Sequence, residues 1–306
     1  MKANGRFVFT DGGSLIGQTG WERASLIYRG ENVENYRGYS FHGMNQSRDD
    51  WAPLAALTRA LDRSQTPDAM FADAVDGIVD LDRFFRTLST RILIGDGVGF
   101  AVNNGHNGWA YHDSVSGTWS LVPFDVEAGF SGSFGLDASL DPRVSRWLTH
   151  PHSRRVYLRV LAAFIDGYWS PAADPWLTAV SRATGYGVAG IQNHIRANAA
   201  RARTFVAASE AVPLRILTNG GADIETDLAA ITLEGEAPPR AATLLVSFDD
   251  GVLEDLRPTW TSPVRFTTRV ELGSASTRWS IVGVDVDGVD PTADGIGCAV
   301  VPDCGG

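Results

Sequence analysis

The spacing of apolar residues changes several times along the chain, and each change marks a part of it. Up to about residue 50, short apolar runs alternate with Gly, Asn, Tyr and Arg, which predicts short strands and turns. The stretch Glu31–Tyr39 is too polar for a core strand. After Asp49-Asp50, the apolar residues Trp51, Leu54, Leu57 and Leu61 follow a helical period. With aspartate as cap and Pro53 in the first turn, they predict an amphipathic helix. A second helix is predicted from Asp80, because Leu81, Phe84, Phe85, Leu88 and Ile92 share one stripe. Gly95 ends it. Asp80 is its expected cap and Asp82 a solvent-facing carboxylate in its first turn.

A polar loop follows, and then two runs with strand character. Trp109–Asp113 and Thr118–Pro123 flank the turn 114–117, which predicts a hairpin. Helical spacing returns over residues 143–208, with Val156, Val160, Phe164 and Tyr168 on one face. Pro171, Pro175 and Gly185 are expected breaks, and Ile191–Ala208 is the expected last helix, with Arg196, Arg201 and Arg203 on its polar side. From Pro213 the texture is short alternating runs: Leu214–Leu217, Ala230–Leu233, Thr243–Phe248, Val264–Leu272 and Trp279–Val286. Pro, Gly and Asp separate them, as in a small β-sandwich. The expected fold class is therefore α+β: a mostly helical domain with a β-hairpin over residues 1–210, an all-β sandwich over 211–287, and a mobile Gly/Asp-rich tail over 288–306.

Composition narrows the function classes. The net charge of −10 argues against nucleic acid as a partner, which needs a cationic face. No apolar run approaches the roughly 18 residues of a membrane span, and the first residues have no apolar core of a signal peptide. Lys2 is the only lysine, and every other cation is arginine, as GC-rich coding favours. Cys298 and Cys304, a close pair in the tail, suit a small disulfide-closed loop outside the cytosol, or else two free thiols. The run from Asp285 to Gly295 alternates aspartate with glycine and is a candidate calcium loop, although no glutamate closes an EF-hand spacing.

Candidate chemistry concentrates between Gly95 and Phe130. A helix leads into a loop dense in Asn, Asp and His, and a hairpin then leads to Asp125 and Glu127. Oxygen ligands offered from two rigid elements suit magnesium and phosphoryl transfer. His106 and His112 read as structural hydrogen-bonders, since two histidines without a third ligand make a poor zinc site. Trp109, Tyr111 and Trp119 read as packing on the adjacent helix. No G-x-S-x-G elbow supports a serine nucleophile.

Three segments carry a resemblance: Asp80-Leu-Asp82-Arg-Phe-Phe-Arg86, then Asn103-Asn-Gly-His106-Asn107-Gly-Trp-Ala-Tyr111-His-Asp113, then Gly117-Thr-Trp119-Ser-Leu-Val-Pro123-Phe-Asp125-Val-Glu127-Ala-Gly-Phe130. In order, spacing and residue type they resemble the D-x-D-x-F-L-R helix, the N-H-N-Y-Y-x-Y-x-D stretch and the G-x-W-x-x-x-P-W-D-x-D-x-T-F block of CotH-type secreted protein kinases. The resemblance implies a kinase-like C-lobe followed by a β-sandwich module, as in larger secreted bacterial members. It implies ATP and Mg as cofactors, with Asp125 as the metal-binding aspartate. Asn107 or Asn103 would be the loop asparagine beside metal and nucleotide, and Glu127 stands where the family has a second metal aspartate.

Two departures matter. The family's catalytic aspartate falls on Val98, which cannot orient or deprotonate a hydroxyl, and Asp96 is the candidate replacement. A kinase N-lobe, with its phosphate-binding lysine, has no counterpart, since Lys2 stands at the chain start. The resemblance thus implies an atypical kinase fold that transfers no phosphate as this chain. The alternative is a non-catalytic binding or adhesion protein on a degenerate kinase scaffold. Either reading implies a secreted or cell-surface location, an incomplete N-terminus, and an unidentified protein substrate or surface partner.

Overall fold

The computed structural model describes residues 14–17, 26–36, 42–43, 51–96, 108–123, 129–130, 132, 135–137, 142–167, 174–185, 187–226, 228–248, 252–272, 277–285 and 292–300. The fold is α+β with an all-β region at its C-terminal end. The chain divides into two compact units, residues 1–149 with 164–200, and residues 150–163 with 201–306. No helix among the described residues is long and apolar enough to cross a membrane.

The first unit has a four-stranded antiparallel sheet. Its strands are β1 (Ser14–Gly17), β2 (His42–Gly43), β3 (Gly108–His112) and β4 (Trp119–Pro123), in the order β2-β1-β3-β4. The expected hairpin is present, with Gly108 opposite Pro123 and His112 opposite Trp119. Gly117 takes φ 73° in its turn, a conformation open to glycine.

Helices α1 (Ala52–Leu61), α2 (Asp68–Asp76), α3 (Leu81–Ile94) and α4 (Pro142–Thr149) follow in chain order. Helix α5 (Pro151–Gly167) is shared between the units, α6 (Asp174–Thr184) belongs to the first, and α7 (Ala189–Glu210) is again shared. Helix α1 starts with Trp51 at the cap position and no side-chain cap, although aspartate was expected there; Asp49 and Asp50 lie outside the described residues. Pro53 does sit in the first turn.

The sequence pattern gives no sign of α2. It buries only Phe71 and Val75, one i,i+4 pair, which is too little for a period to show. What holds it is Arg146 of α4. This side chain is 1% exposed. It donates to the carbonyls of Ala60 (3.4 Å), Leu61 (3.3 Å) and Thr66 (2.7 Å), and to Asp68 Oδ1 (2.8 Å). Its guanidinium also lies 4.1 Å from the Phe71 ring centroid. The end of α1 and the start of α2 are thus joined by one cation. Burial pulls the Arg146 pKa below its usual value, and the Asp68 carboxylate opposes that shift.

Helix α3 forms as its stripe predicts. Phe85, Leu88 and Leu93 are fully buried, each at 0% exposure, contributing roughly 1.5–3 kcal/mol apiece. Phe84 stacks on Trp147 at 4.2 Å. Asp80 caps it, accepting from the Arg83 N–H at 3.0 Å. Asp82 is partly exposed and pairs with Arg86 one turn on. The residues just before α3 bond to β4, with Asp80 N–H donating to Trp119 O (2.9 Å) and Trp119 N–H to Ile78 O (2.8 Å). The Trp119 indole donates to Pro53 O at 3.2 Å, so one buried tryptophan links α1, α3 and the hairpin.

Of the face expected on α5, Val160 is buried, while Val156 and Phe164 are half-buried; Tyr157, Leu158, Leu161 and Ile165 are buried beside it, with Ser153 at the start of the helix. Tyr168 lies outside the described residues. Pro175, expected as a break, stands inside the first turn of α6, where its missing N–H costs nothing. Gly185 does follow the end of α6, at φ 72°.

The second unit carries β5 (Arg215–Ile216), β6 (Ile224–Thr226), β7 (Ala230–Glu236), β8 (Thr243–Phe248), β9 (Glu254–Leu256), β10 (Thr259–Trp260), β11 (Arg265–Glu271), β12 (Thr277–Val284) and β13 (Thr292–Val300). They form sheets of order β10-β11-β7-β5 and β6-β13-β12-β8-β9. Leu233, Phe266 and Val270 of one sheet share a core with Leu244, Trp279 and Ile281 of the other, which makes a sandwich. Gly235 is needed for that packing, because a Cβ there would lie 2.3 Å from the Phe266 ring.

The C-terminal stretch corrects an expectation. Residues 292–300, assigned to a mobile tail, form β13, paired antiparallel with β12 and parallel with β6. Gly295 and Gly297 hide its strand character, and its place comes from pairing on both sides. Cys298 stands opposite Thr277 and Ile224; Cys304 and most of the candidate calcium loop lie outside the described residues.

Glu236 at the end of β7 receives Arg215 (2.7 Å) and Arg265 (3.1 Å) on its two oxygens. The Arg215 hydrogen bond, with Arg265 adding to it, holds its carboxyl below the ordinary value of 4.5 against the opposing effect of burial. A depressed carboxylate pKa adds stability above the unfolded value and loses it as pH falls through the folded one. Melting temperature should therefore drop as pH is lowered from about 4.5. The Glu236→Gln variant, followed by thermal denaturation across that range, should melt lower at pH 7 and show a shallower acid decline.

Candidate functional site

A helix end leaves its last four carbonyls without intrahelical partners. At the C-terminus of α3 all four are met, by four different groups. Asp96 N–H donates to Arg91 O (3.0 Å) and Gly95 N–H to Ile92 O (3.2 Å), the paired bonds of a Schellman turn with Gly95 at φ 68°. His194 Nε2 of α7 lies 2.9 Å from Leu93 O and 2.6 Å from Asn198 Nδ2, and it donates to the carbonyl when it carries the proton. Phe130 N–H donates to Ile94 O.

The last of these bonds joins two stretches that are distant in sequence. Phe130 closes the Pro123–Phe130 segment that contains Asp125 and Glu127. Ile94 immediately precedes the Gly95–Asn107 loop. The described ends of the two polar segments are thus adjacent at Ile94 and Phe130. Their other ends are adjacent too, since Gly108 and Pro123 stand opposite each other in the hairpin. Phe130 itself takes φ 63°, unusual for a non-glycine residue. Its ring meets the edge of His194 at 5.4 Å. Gly95 and Gly132 come so close that a Cβ on Gly95 would lie 2.0 Å from the Gly132 carbonyl oxygen.

Asp96 is the one candidate site residue within the described part of the chain. Its side chain is 0% exposed and pairs with Arg91, itself 2% exposed, at 2.5 Å. A carboxylate so placed is an ion-pair partner inside the fold that steadies the α3 turn. Removing either partner would take a buried ion pair from the other. Asn103, Asn107, Asp125 and Glu127, with Val98 and His106, lie outside the described residues. Among the described residues, no three His, Cys, Asp or Glu side chains form a metal-holding group. His112 hydrogen-bonds the Gly117 carbonyl at 3.1 Å and sits against Trp119, the structural role expected of it. Tyr111 and Trp119 are buried, also as expected, and the Thr87 hydroxyl of α3 donates to Leu121 O of β4.

Sequence reasoning did not anticipate the partners of Arg91, Phe130 and His194. Arg91 lies on a helix otherwise read by its apolar stripe, and His194 is more than 90 residues from its acceptor. Phe130 closes the third motif block and follows Ala128-Gly129, which marks a turn, but neither signal gives its partner.

No protein-family model matches the chain, and no curated protein matches it. Among solved structures, the chain is similar to fibronectin(III)-like modules of Clostridium thermocellum CbhA, at 11% identity and a TM-score of 0.23, covering 28% of this chain and 94% of that one. It is also similar to an endo-beta-1,4-mannanase from Thermotoga petrophila, at 13% identity and a TM-score of 0.24, covering 38% of this chain and 25% of that one. At such scores the likeness decides neither fold nor function.

Gly95→Ala tests the junction. The left-handed conformation alone should cost at least ~1 kcal/mol, and displacing Gly132 should add to it. The expected result is a lower urea midpoint with an unchanged slope.

Proposed function

We propose that the first unit is a CotH-type kinase-fold region that holds ATP with magnesium and does not transfer its phosphate. The observation that carries this reading is the meeting of segment ends at Ile94–Phe130 and Gly108–Pro123. It supports a common location for the asparagine loop and the Asp125 segment, as the family motifs require. The proposed ligands, Asp125, Asn107 or Asn103, and Glu127, offer only oxygen, the donor that a hard divalent cation prefers. When bound, the metal would neutralise phosphate charge.

Absence of transfer rests on the catalytic loop. Val98 has no proton-accepting atom. Asp96, the nearest substitute, is sealed and committed to Arg91, whereas a general base must come within hydrogen-bond reach of its substrate. Lys2 is the sole lysine available to meet phosphates.

The second reading is a secreted binding or adhesion protein on a degenerate kinase scaffold. The sealed Asp96 favours it as well, and a two-sheet sandwich is a common carrier of surface binding.

Thermal shift and labelled ATP separate these readings. With magnesium, ATP at about 100 times its dissociation constant should stabilise the protein by about 2.7 kcal/mol. Asp125→Ala should abolish the shift, and no label should enter the protein. Incorporation that disappears in Asp125→Ala would overturn the absence of transfer. A flat thermal response to ATP and metal would remove nucleotide binding and leave the adhesion reading.

A further inference from the structure

Arg155, on the part of α5 that belongs to the second unit, is 3% exposed. Among the described residues it makes no ion pair. Burial, and then the neighbouring Arg159 charge, pull its pKa down to about 9, while Glu210 opposes them. It therefore remains a cation at neutral pH. Glu210 is itself bonded to Arg240. A buried charge without a counter-charge is costly unless dipoles replace its water.

Those dipoles come from the sandwich. Nη1 donates to the carbonyls of Ala237 (2.9 Å) and Pro263 (3.0 Å), and Nη2 to those of Pro238 (2.7 Å) and Ala241 (2.5 Å). The guanidinium carbon lies 3.7 Å from the centroid of the Trp260 ring, a cation–π distance. Four acceptors face two nitrogens of one planar group, and an aromatic ring covers that group.

The cradle is built by the sandwich itself. The Ala237 N–H bonds Val264 O at 2.9 Å, and the Ala241 N–H bonds Pro238 O at 3.1 Å. Ala237 and Ala241 are both 0% exposed. Ala237–Ala241 is the link by which the chain passes from β7 in one sheet to β8 in the other, and Pro263 is in the turn between β10 and β11. Each link also has backbone hydrogen bonds of its own that do not involve Arg155.

We propose that the β-sandwich contains a guanidinium-selective site, made of the Ala237, Pro238, Ala241 and Pro263 carbonyls and the Trp260 face, with Arg155 as its resident ligand. Through that ligand, residues 150–163 are fastened to the sandwich. A planar fork with paired donors fits the four oxygens and the ring together. An ammonium group has three donors on a compact, strongly hydrated centre and fits neither as well. The site is independent of the nucleotide reading of the first unit.

The test is chemical rescue in the full chain. Arg155→Ala should melt several degrees below the wild type. Methylguanidinium at millimolar concentration should raise the variant's melting temperature along a saturating curve. Methylammonium should do so at least ten-fold less effectively, and neither cation should raise that of the wild type. Equal response to the two cations, or equal response of variant and wild type, would overturn the proposal. If Arg155→Ala does not fold, the wild type and Trp260→Leu decide it, by phenylglyoxal modification of arginine read by mass spectrometry. Arg155 should react at least ten-fold more slowly than the exposed Arg257 in the wild type and faster once the ring is removed. Reaction of wild-type Arg155 at the Arg257 rate would overturn the proposal.

Discussion

A carbonyl that faces inward at the end of a helix or strand has lost water and needs a donor. In this protein buried arginine is the recurring answer. Arg146 gathers the carbonyls at the end of α1 and in the turn before α2. Arg155 gathers those of two sandwich links. Each arginine reaches several acceptors because its donors form a fixed planar fork, which lysine lacks. A chain with one lysine among its cations had this tool in abundance. Backbone carbonyls are the main acceptors of buried Arg146 and Arg155, whereas buried Arg91 meets the Asp96 carboxylate.

The α3 terminus meets the same constraint by other means. Two backbone donors of its own turn, one histidine of α7 and one backbone N–H from beyond the hairpin share the four carbonyls. Because the donors come from separate stretches of chain, satisfying the helix also fixes where those stretches meet. The polar loop after α3 and the acidic segment after β4 share their anchor points for this reason. The buried Arg91–Asp96 pair adds rigidity at the same turn while removing Asp96 from solvent.

Where the folding signal is local, the sequence shows it. The stripe, cap and glycine stop of α3 lie within sixteen consecutive residues, and the hairpin is marked by alternation around a glycine turn. The strands β7, β8, β11 and β12 are legible for the same reason. Where the signal is a distant partner, it does not show. Helix α2 depends on Arg146, which bonds Asp68 at its start from 78 residues on, and β13 is a strand because β12 and β6 flank it. Arg155 on α5 likewise reads as polar surface until its carbonyls are known. Of the candidate site, the segments and their order were legible, and the junction that joins their ends was not.

The sequence distance between Arg155 and its cradle bears on the order in which the second unit can assemble. The acceptors lie 82 to 108 residues downstream of the cation. On a ribosome, the helix is complete well before Ala237 is made, and the cradle is complete only after Pro263. During that interval the helix has a cation but no acceptors, and the first sandwich strands have no partner sheet. Closing so long a loop costs only a little more entropy than closing a short one, but it delays every contact that depends on it. The Arg155 cradle can thus close only after Pro263 has been made, and the strands β12 and β13 that complete the sandwich are made later still.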